Sequence, residues 1–195
     1  MSNIPRLAVL GSGKGSNFVA IQEAILAGKL DARIVLVASD LPDAIILSKA
    51  AAFGLPAATL PPSPFRTKLG PEGEVALVEL LRNHAVEWVI LAGYMRVVKE
   101  PLLSAFPNRI VNIHPSLLPA FKGLRAWEQA LVAGVPETGC TVHFVNRDID
   151  AGEIIAQRRV PVLVGDTPET LHARIQAAEH ELYPSALAKV FRRTE

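Results

Sequence analysis

Short apolar runs recur along the N-terminal part of the chain, and stretches with helical spacing of apolar residues separate them. The apolar runs cover residues 7–10, 34–38, 57–60, 88–92 and 109–111, and each has the length of a buried strand. Helices are predicted between them, including one that Pro42 opens and one over residues 72–84. Parallel strands covered on both faces are apolar along their whole length. The pattern therefore predicts an α/β fold, with a doubly wound, mostly parallel sheet and helices on both faces.

The C-terminal part of the chain has a different order of predicted elements. Residues 126–133 fit a short helix, and residues 140–145 and 154–157 fit two strands that residues 146–152 join as a β-hairpin. A long final helix follows, with Thr167 as its N-cap and Pro168 at its first position, and Pro184 is expected to kink or break it. The proline-rich segment 61–71 is predicted to be a mobile surface loop, because the same α/β rhythm continues on both sides. Residues 1–195 are therefore interpreted as a single domain.

Composition and charge narrow the classes of function. Half of the 195 residues are hydrophobic and 20% are charged, which is typical of a globular protein. The net charge is +1, and no basic patch is interleaved with aromatic residues, so nucleic acid is not an expected partner. No signal-peptide core or membrane-spanning run is present. Cys140 is the only cysteine, which leaves no internal disulfide and no thiolate metal cluster. These observations predict a soluble cytoplasmic protein.

The turn after the first strand carries glycine at positions 11, 13 and 15. A dinucleotide-binding fingerprint needs its third glycine one residue later, and a Walker loop needs Ser or Thr after Lys14. Anion binding remains possible on physical grounds, because the N–H groups of Gly15, Ser16 and Asn17 would point outward at a helix N-terminus. A phosphomonoester suits this turn better than a long dinucleotide, and the alternative is a tight turn without a ligand.

A candidate catalytic group lies where the fifth apolar run ends on Asn112-Ile113-His114. Two prolines follow, so regular structure cannot continue. Residues two apart in a strand point to the same side, and Asn112 and His114 therefore face one small volume. An imidazole exchanges protons near neutral pH, and an amide N–H can stabilise an oxyanion. Asp150, in the predicted hairpin turn, is a candidate to face the imidazole and favour its protonated form; the alternative is a solvated turn aspartate.

Six sequence motifs, in this order, resemble the phosphoribosylglycinamide formyltransferase family, the folate-dependent transformylases of de novo purine synthesis. The motifs lie at residues 13–17, 91–96, 112–119, 141–145, 150–152 and 179–184, and read GKGSN, LAGYMR, NIHPSLLP, TVHFV, DAG and EHELYP. The resemblance covers nearly the entire chain. It implies a formyltransferase-like fold with a C-terminal β-pair and a long final helix.

The resemblance also implies where the substrate binds. Gly15, Ser16 and Asn17 correspond to the backbone cradle for the phosphate of glycinamide ribonucleotide. Glu179 corresponds to the carboxylate that contacts the ribose and glycinamide part of that substrate.

The catalytic set implied by the resemblance is Asn112, His114 and Asp150. A further set of positions corresponds to the folate site, with backbone groups of one segment holding the pterin and a loop on its other side. These positions are Lys68, Met95, Arg96, Val97, Val98, Asn112, Asn146, Arg147, Asp148, Ile149 and Asp150.

The implied reaction transfers the formyl group of 10-formyltetrahydrofolate, a co-substrate, to the amine of N1-(5-phospho-D-ribosyl)glycinamide on the route to IMP. His114 as imidazolium, with Asn112, would stabilise the oxyanion of a tetrahedral intermediate. Asp150 would keep His114 protonated and assist proton transfer to the departing folate nitrogen. The implied partners are small molecules, with no metal, nucleic acid or membrane, and the chain is expected to be a monomer or homodimer. Three positions depart from the family pattern: Lys68 stands where an arginine is frequent, Trp127 stands where a histidine is frequent, and Lys122 replaces a common proline.

Four alternatives remain open on the sequence. Formyltetrahydrofolate hydrolase usually carries an N-terminal regulatory domain, and methionyl-tRNA formyltransferase needs an added tRNA-binding domain and a more basic chain. A nucleotide-dependent oxidoreductase is favoured by the glycine turn and by Asp40 after the second strand, but the glycine spacing argues against it. A non-catalytic ligand-binding module would leave Asn112, His114 and Asp150 without a role.

Overall fold

A computed structural model describes residues 4–192 of the chain. In order, the elements of this part are β1 (Arg6–Leu10), α1 (Ser16–Leu26), β2 (Arg33–Ser39), α2 (Ile45–Ala52), β3 (Ala57–Thr59), α3 (Pro71–Asn83), β4 (Trp88–Leu91), α4 (Leu102–Ala105), β5 (Ile110–His114), α5 (Ala126–Val132), β6 (Glu137–Phe144), β7 (Ile154–Pro161) and α6 (Pro168–Arg192).

All the strands of this part of the chain belong to one sheet, in the order β3-β2-β1-β4-β5-β6-β7. The five strands β1 to β5 are parallel, β6 is antiparallel to β5, and β7 returns antiparallel to β6. The predicted α/β class, the mostly parallel sheet, the C-terminal strand pair and the long final helix are therefore confirmed.

The sheet is covered on both faces, as β1 illustrates. Leu7 and Val9 point into one apolar cluster with residues of α1 and α6, whereas Ala8 and Leu10 point into a second cluster with residues of α3. All four side chains are fully buried. Burying one leucine in this way contributes about 1.5–3 kcal/mol relative to exposure. The continuous apolar runs in the sequence thus reflect helices on both sides of the sheet.

The second helix begins later than the sequence predicts. Pro42 lies in a turn, Ala44 is extended, and α2 starts at Ile45. The reason is a tertiary contact: the N–H of Ile46 donates to the carbonyl of Gly13 at 3.0 Å. The helix start is therefore set by the β1–α1 turn, and Pro42 belongs to the turn that precedes α2.

Both C-terminal strands are longer than predicted, because β6 and β7 pair from Glu137–Pro161 to His143–Ile154. The pairing continues past the apolar residues through exposed Arg158 and Arg159, as an edge strand allows. Backbone pairing, rather than apolar pattern, decides the length of β7.

For the final helix, the predicted N-cap is correct and the predicted break at Pro184 is not. The N-cap is confirmed: the N–H of Thr170 donates to Oγ1 of Thr167 at 3.3 Å, and the N–H of Thr167 donates back to Oγ1 of Thr170 at 2.9 Å. The helix continues through Pro184, so the predicted break does not occur. Pro184 and its neighbour Tyr183 are buried, and the Tyr183 hydroxyl lies 3.0 Å from the carbonyl oxygens of Leu91 and Val111. Packing against β4 and β5 maintains the helix where the proline removes a hydrogen bond.

The strand order reverses direction between β1 and β4, so the chain leaves these two strands toward opposite faces of the sheet. A crevice forms at their carboxyl ends. Hydrogen bonds join the loops that leave these two strands. The N–H of Ser12 donates to the carbonyl of Gly93 at 3.0 Å, and the N–H of Met95 donates to Oγ of Ser12 at 2.9 Å. The fold therefore sets the β1–α1 turn and the segment after β4 side by side.

Gly15 provides a test of how tightly this turn is packed. Its φ is +66°, and a Cβ atom there would lie 2.7 Å from Cγ1 of Ile46. Gly28 has a similar φ of +68° but has open space around it. We expect Gly28→Ala to lower the free energy of unfolding by about 1 kcal/mol, and Gly15→Ala by about 1–3 kcal/mol more. Urea denaturation of the two variants measures the difference, and equal losses would show that Ile46 yields without cost.

Candidate functional site

A cavity of about 560 Å³ lies at the carboxyl ends of β1, β4 and β5. The β1–α1 turn forms one part of the lining, called the first end here, and the segments at 93–98 and 146–150 form another part, called the second end. The end of β5 contributes Asn112 and His114 to the lining. Gln176 and Glu179 of α6 complete the first end. The cavity is large enough for two adjoining ligand groups.

The first end is built on the N-terminus of α1. Gly15 is the N-cap residue, and no side chain caps the helix. Among the described residues, no hydrogen bond takes up the N–H groups of Gly15, Ser16 and Asn17. Unpaired N–H groups at a helix N-terminus attract an anion. These N–H groups are therefore free to bind an anion, and the phosphate cradle stays a prediction.

A buried hydrogen bond joins this turn to α6. Nδ2 of Asn17 donates to Oε2 of Glu179 at 2.8 Å, and Glu179 is only 5% exposed. Oδ1 of Asn17 is buried and has no hydrogen-bond partner within the described chain. A buried polar atom without a partner is costly unless a ligand or water completes it. Asn17 and Glu179, which are far apart in sequence, thus form one polar surface in the cavity.

His114 is held between two oxygen atoms. Its Nε2 lies 2.8 Å from the carbonyl oxygen of Phe121, and its Nδ1 lies 3.3 Å from Oδ2 of Asp150. The same carboxylate oxygen accepts the N–H of Gly123 at 2.8 Å. Both ring nitrogens therefore face oxygen atoms, and these two contacts fix the position of the ring. The predicted juxtaposition of His114 and Asp150 is present.

The loop that follows His114 is held by the C-terminal strands. Oγ1 of Thr141 donates to the carbonyl of Ser116 at 2.6 Å and accepts the N–H of Leu118 at 3.0 Å. Nε2 of Gln157 donates to the carbonyl of Leu118 at 2.9 Å. These bonds fix the path of the loop, and so the position of the Phe121 carbonyl that His114 contacts.

His143 of β6 is part of the same group. It is the direct cross-strand neighbour of Asn112, and Nε2 of His143 lies 3.2 Å from Nδ2 of Asn112. Burial lowers the pKa of His143, against the opposing effects of the Phe144 carbonyl and Asp150. Neutral His143 donates from Nδ1 to the carbonyl of Phe144 at 2.8 Å, so Nε2 is the acceptor for the Asn112 amide. The 3.7 Å separation of Nε2 from Oδ1 of Asp150 is then not a hydrogen bond.

The second end of the cavity uses the backbone after β4. The N–H groups of Met95 and Val97 donate within the protein, to Ser12 and to the carbonyl of Thr67. For Arg96 and Val98, no such bond is found in the described part of the chain. Alternate N–H groups of this segment are thus available to a ligand. The pterin-binding role of this segment stays a prediction.

The side chain of Arg96 holds the segment in place through contacts with the protein. Its Nε lies 2.6 Å from Oδ2 of Asp40, whose Oδ1 accepts the hydroxyl of Ser12 at 2.5 Å. The guanidinium also donates to the carbonyl of Phe65. Lys68, predicted near the folate, is not among the residues that line the cavity, and its Nζ lies 4.5 Å from the centre of the Phe65 ring.

The loop from 146 to 150 faces the segment after β4 across the cavity. All five predicted residues of this loop line it: Asn146, Arg147, Asp148, Ile149 and Asp150. The N–H of Asp148 donates to Oδ1 of Asn146 at 3.0 Å, a turn that Asn commonly forms.

Sequence reasoning missed Gln176, Trp127 and His172 as cavity residues. Gln176 lies one turn before Glu179 on α6, and helical spacing from Glu179 was the signal that could have found it. Within the described residues, no group of three or more His, Cys, Asp or Glu side chains is arranged to hold a metal ion. In the same part of the chain, no helix is long and apolar enough to cross a membrane.

The chain belongs to the formyl transferase family, which it matches over residues 5–187. Phosphoribosylglycinamide formyltransferase of Bacillus subtilis is 43% identical over 185 residues, which are 95% of this chain and 94% of that protein. The trifunctional purine biosynthetic protein adenosine-3 of Bos taurus is 44% identical over 185 residues, but this chain spans only 18% of it. The crystal structure of glycinamide ribonucleotide transformylase 1 from Symbiobacterium toebii superposes with a TM-score of 0.93 at 47% identity, over 97% of this chain and 89% of that one.

Glu179 should make stability depend on pH. Burial raises the pKa of Glu179 from 4.5 to about 7, and the bond from Asn17 acts in the opposite direction. A carboxyl whose pKa is raised in the folded state favours folding at low pH. As pH rises from the unfolded value to about 7, the folded state loses up to about 3 kcal/mol relative to the unfolded chain.

We therefore expect Glu179→Gln, relative to the native chain, to be about 2–3 kcal/mol more favourable at about pH 8 than at about pH 5. Urea denaturation at the two pH values measures this, and Glu181→Gln, at an exposed position of the same helix, is the control. The expectation is wrong if the two substitutions respond to pH alike.

Proposed function

We propose that this protein transfers the formyl group of 10-formyltetrahydrofolate to the amine of N1-(5-phospho-D-ribosyl)glycinamide. The observation that carries the proposal is that Asn112, His114 and Asp150 line one cavity together with the N-terminus of α1 and the backbone after β4. An anion-binding helix N-terminus lies at one end of this cavity, and free backbone N–H groups lie at the other. Such a cavity suits two substrates whose reacting groups meet at the histidine. Similarity to the Bacillus subtilis enzyme supports both the donor and the acceptor.

The substrates are held in line for attack. The phosphate lies on the N–H groups of Gly15, Ser16 and Asn17, and Glu179 with Asn17 binds the sugar and glycinamide part. The folate ring binds the backbone of residues 95–98, with residues 146–150 on its other side. Holding two reactants in this way supplies a large part of the rate, since effective molarities of well-oriented groups are high.

The amine nitrogen attacks the formyl carbon and forms a C–N bond, and the carbonyl electron pair moves to oxygen. The resulting oxyanion is stabilised by the Asn112 amide and by the positive charge of His114. At 3.3 Å from Asp150, the Nδ1–H of His114 is held loosely enough to be shared with this oxyanion. Each such donor typically contributes about 3 kcal/mol to the transition state.

Collapse of the intermediate breaks the bond between the formyl carbon and N10 of the folate. The electron pair goes to N10, which takes up a proton, while the former amine gives one up. Asp150 keeps His114 protonated and assists the proton transfer to N10, because its carboxylate contacts the imidazole at the edge of the cavity. The products are the N-formyl ribonucleotide and tetrahydrofolate.

The setting of the reaction is also a proposal. We place it in the cytoplasm, in de novo purine synthesis, which suits a chain whose sole cysteine, Cys140, is a free buried thiol. Its partners are small molecules. A single domain acting as a monomer or homodimer stays a prediction, as does a role for Lys68 at the folate.

His114→Ala is expected to lower kcat at least about a hundredfold, because it removes the charge beside the oxyanion. Binding of both substrates should persist, since neither ligand-binding end of the cavity uses the imidazole. Steady-state transfer assays with the purified protein measure kcat, and calorimetry with each substrate measures binding. Retained turnover in this variant would remove His114 from the mechanism.

The native chain distinguishes the proposed acceptor from the alternatives. Formyl transfer to glycinamide ribonucleotide should be fast, and release of formate to water alone should be slow. If the protein consumes 10-formyltetrahydrofolate only with water, it is a hydrolase, and if it needs charged tRNA, the acceptor is wrong. Reduction of a nicotinamide cofactor in place of formyl transfer would favour an oxidoreductase.

His143→Leu tests whether His143 orients the Asn112 amide. Leucine cannot accept the hydrogen bond from Nδ2 of Asn112, so the amide loses its fixed orientation, and we expect kcat to fall about tenfold with little change in KM. His84→Leu, at the end of α3 outside the cavity lining, is the control and should keep native kinetics. A rise in KM without a fall in kcat would assign His143 to binding instead.

A further inference from the structure

Two rings from different helices stack against each other in the cavity lining. The ring centres of Trp127 and His172 are 3.8 Å apart, and their planes differ by 6°. Trp127 lies on α5 and His172 on α6, and both line the cavity. The proposed reaction uses neither residue. The indole also packs against the buried cluster that contains Leu171 and Ile175, so its own position is fixed.

The position of His172 on α6 places it beyond the sugar-binding residues. His172, Gln176 and Glu179 follow the i, i+4, i+7 spacing of one helix face, and all three line the cavity. Glu179 marks the end of this face that bonds to Asn17. His172 lies about 10 Å further along the helix axis.

This part of the cavity carries positive charge. Lys14 of the β1–α1 turn lies close enough to lower the pKa of His172, although burial has the larger effect. Lys14 forms no ion pair within the described residues, whereas Arg125, also in the lining, pairs with Glu128 at 2.5 Å. An unpaired lysine beside a half-buried imidazole and a helix N-terminus is a combination that an anion stabilises.

We propose that His172, held flat against Trp127, binds the phosphate group of the acceptor substrate together with Lys14. This inference rests on the proposed function, since it assigns a further contact to the acceptor. The stack restricts rotation of the imidazole, so an N–H is presented to the cavity at little cost in conformational entropy. A phosphate dianion offsets the charge of Lys14, which allows His172 to take up a proton, and the indole face stabilises the resulting cation.

The pairing also accounts for Trp127, at the position where the family resemblance leads one to expect histidine. The indole cannot serve as a cationic phosphate contact. The neighbouring helix supplies an imidazole instead, and Trp127 becomes its support.

The test compares ligands with and without a phosphate. We expect His172→Leu to weaken binding of ribose 5-phosphate, and to raise KM for glycinamide ribonucleotide, about tenfold, the range of one charge-assisted hydrogen bond. The same substitution should not alter the KM for the dephosphorylated ribosylglycinamide. His180→Leu, on the same helix outside the cavity lining, is the matched control and should match the native chain with every ligand.

Substitutions of Trp127 separate support from direct contact. Trp127→Phe keeps a ring for stacking and should retain phosphate affinity, whereas Trp127→Leu should show the same phosphate-selective loss as His172→Leu. Equal losses for phosphorylated and dephosphorylated ligands, or no loss, would overturn the proposal. Calorimetry with ribose 5-phosphate needs no formyl transfer, so a failure of the phosphate contact is distinguishable from a failure of the proposed reaction.

Discussion

The imidazole of His114, held between the Phe121 carbonyl and the Asp150 carboxylate, is the contact on which the rest of the site depends. It joins the end of β5 to its own following loop and to the turn between β6 and β7. Oxygen atoms lie at both ring nitrogens, so the position of the ring depends on both contacts. Thr141 and Gln157 fix the loop that supplies the carbonyl, so the C-terminal strand pair determines the chemistry at the end of a parallel strand.

A second constraint is the buried bond between Asn17 and Glu179, which couples the first and last helices. It brings a carboxyl group out of water, and the raised pKa of Glu179 expresses that penalty. Oδ1 of Asn17 is left without a partner in the same place. A structure optimised only for stability would avoid both features. Their common location at the cavity indicates that a polar ligand completes the hydrogen bonds.

The sequence was sufficient for the residues whose geometry is local. Asn112 and His114 share one side of β5, as the strand period requires, and the glycine turn precedes a helix. The cross-strand pair of Asn112 and His143 depends on the register of β5 against β6, which no local pattern encodes. The stack of Trp127 on His172 depends on how two helices pack, and each residue alone suggests an ordinary helix position. The resemblance to known formyltransferases supplied Asp150, where the local pattern alone favoured a solvated turn.

Backbone strain is concentrated where these long-range contacts are made. Of the five non-glycine residues with positive φ in the described chain, Arg125 at 56° and Asp150 at 48° line the cavity, and Phe121 at 54° contacts His114. Each costs about 1–3 kcal/mol, and such a conformation persists only where surrounding contacts enforce it. Phe121 provides the carbonyl to His114, Asp150 provides the carboxylate, and Arg125 precedes the helix that carries Trp127. The strained residues therefore supply or precede the groups that orient His114 and His172. A rigid, preorganised site needs the backbone to depart from its preferred conformations at such positions.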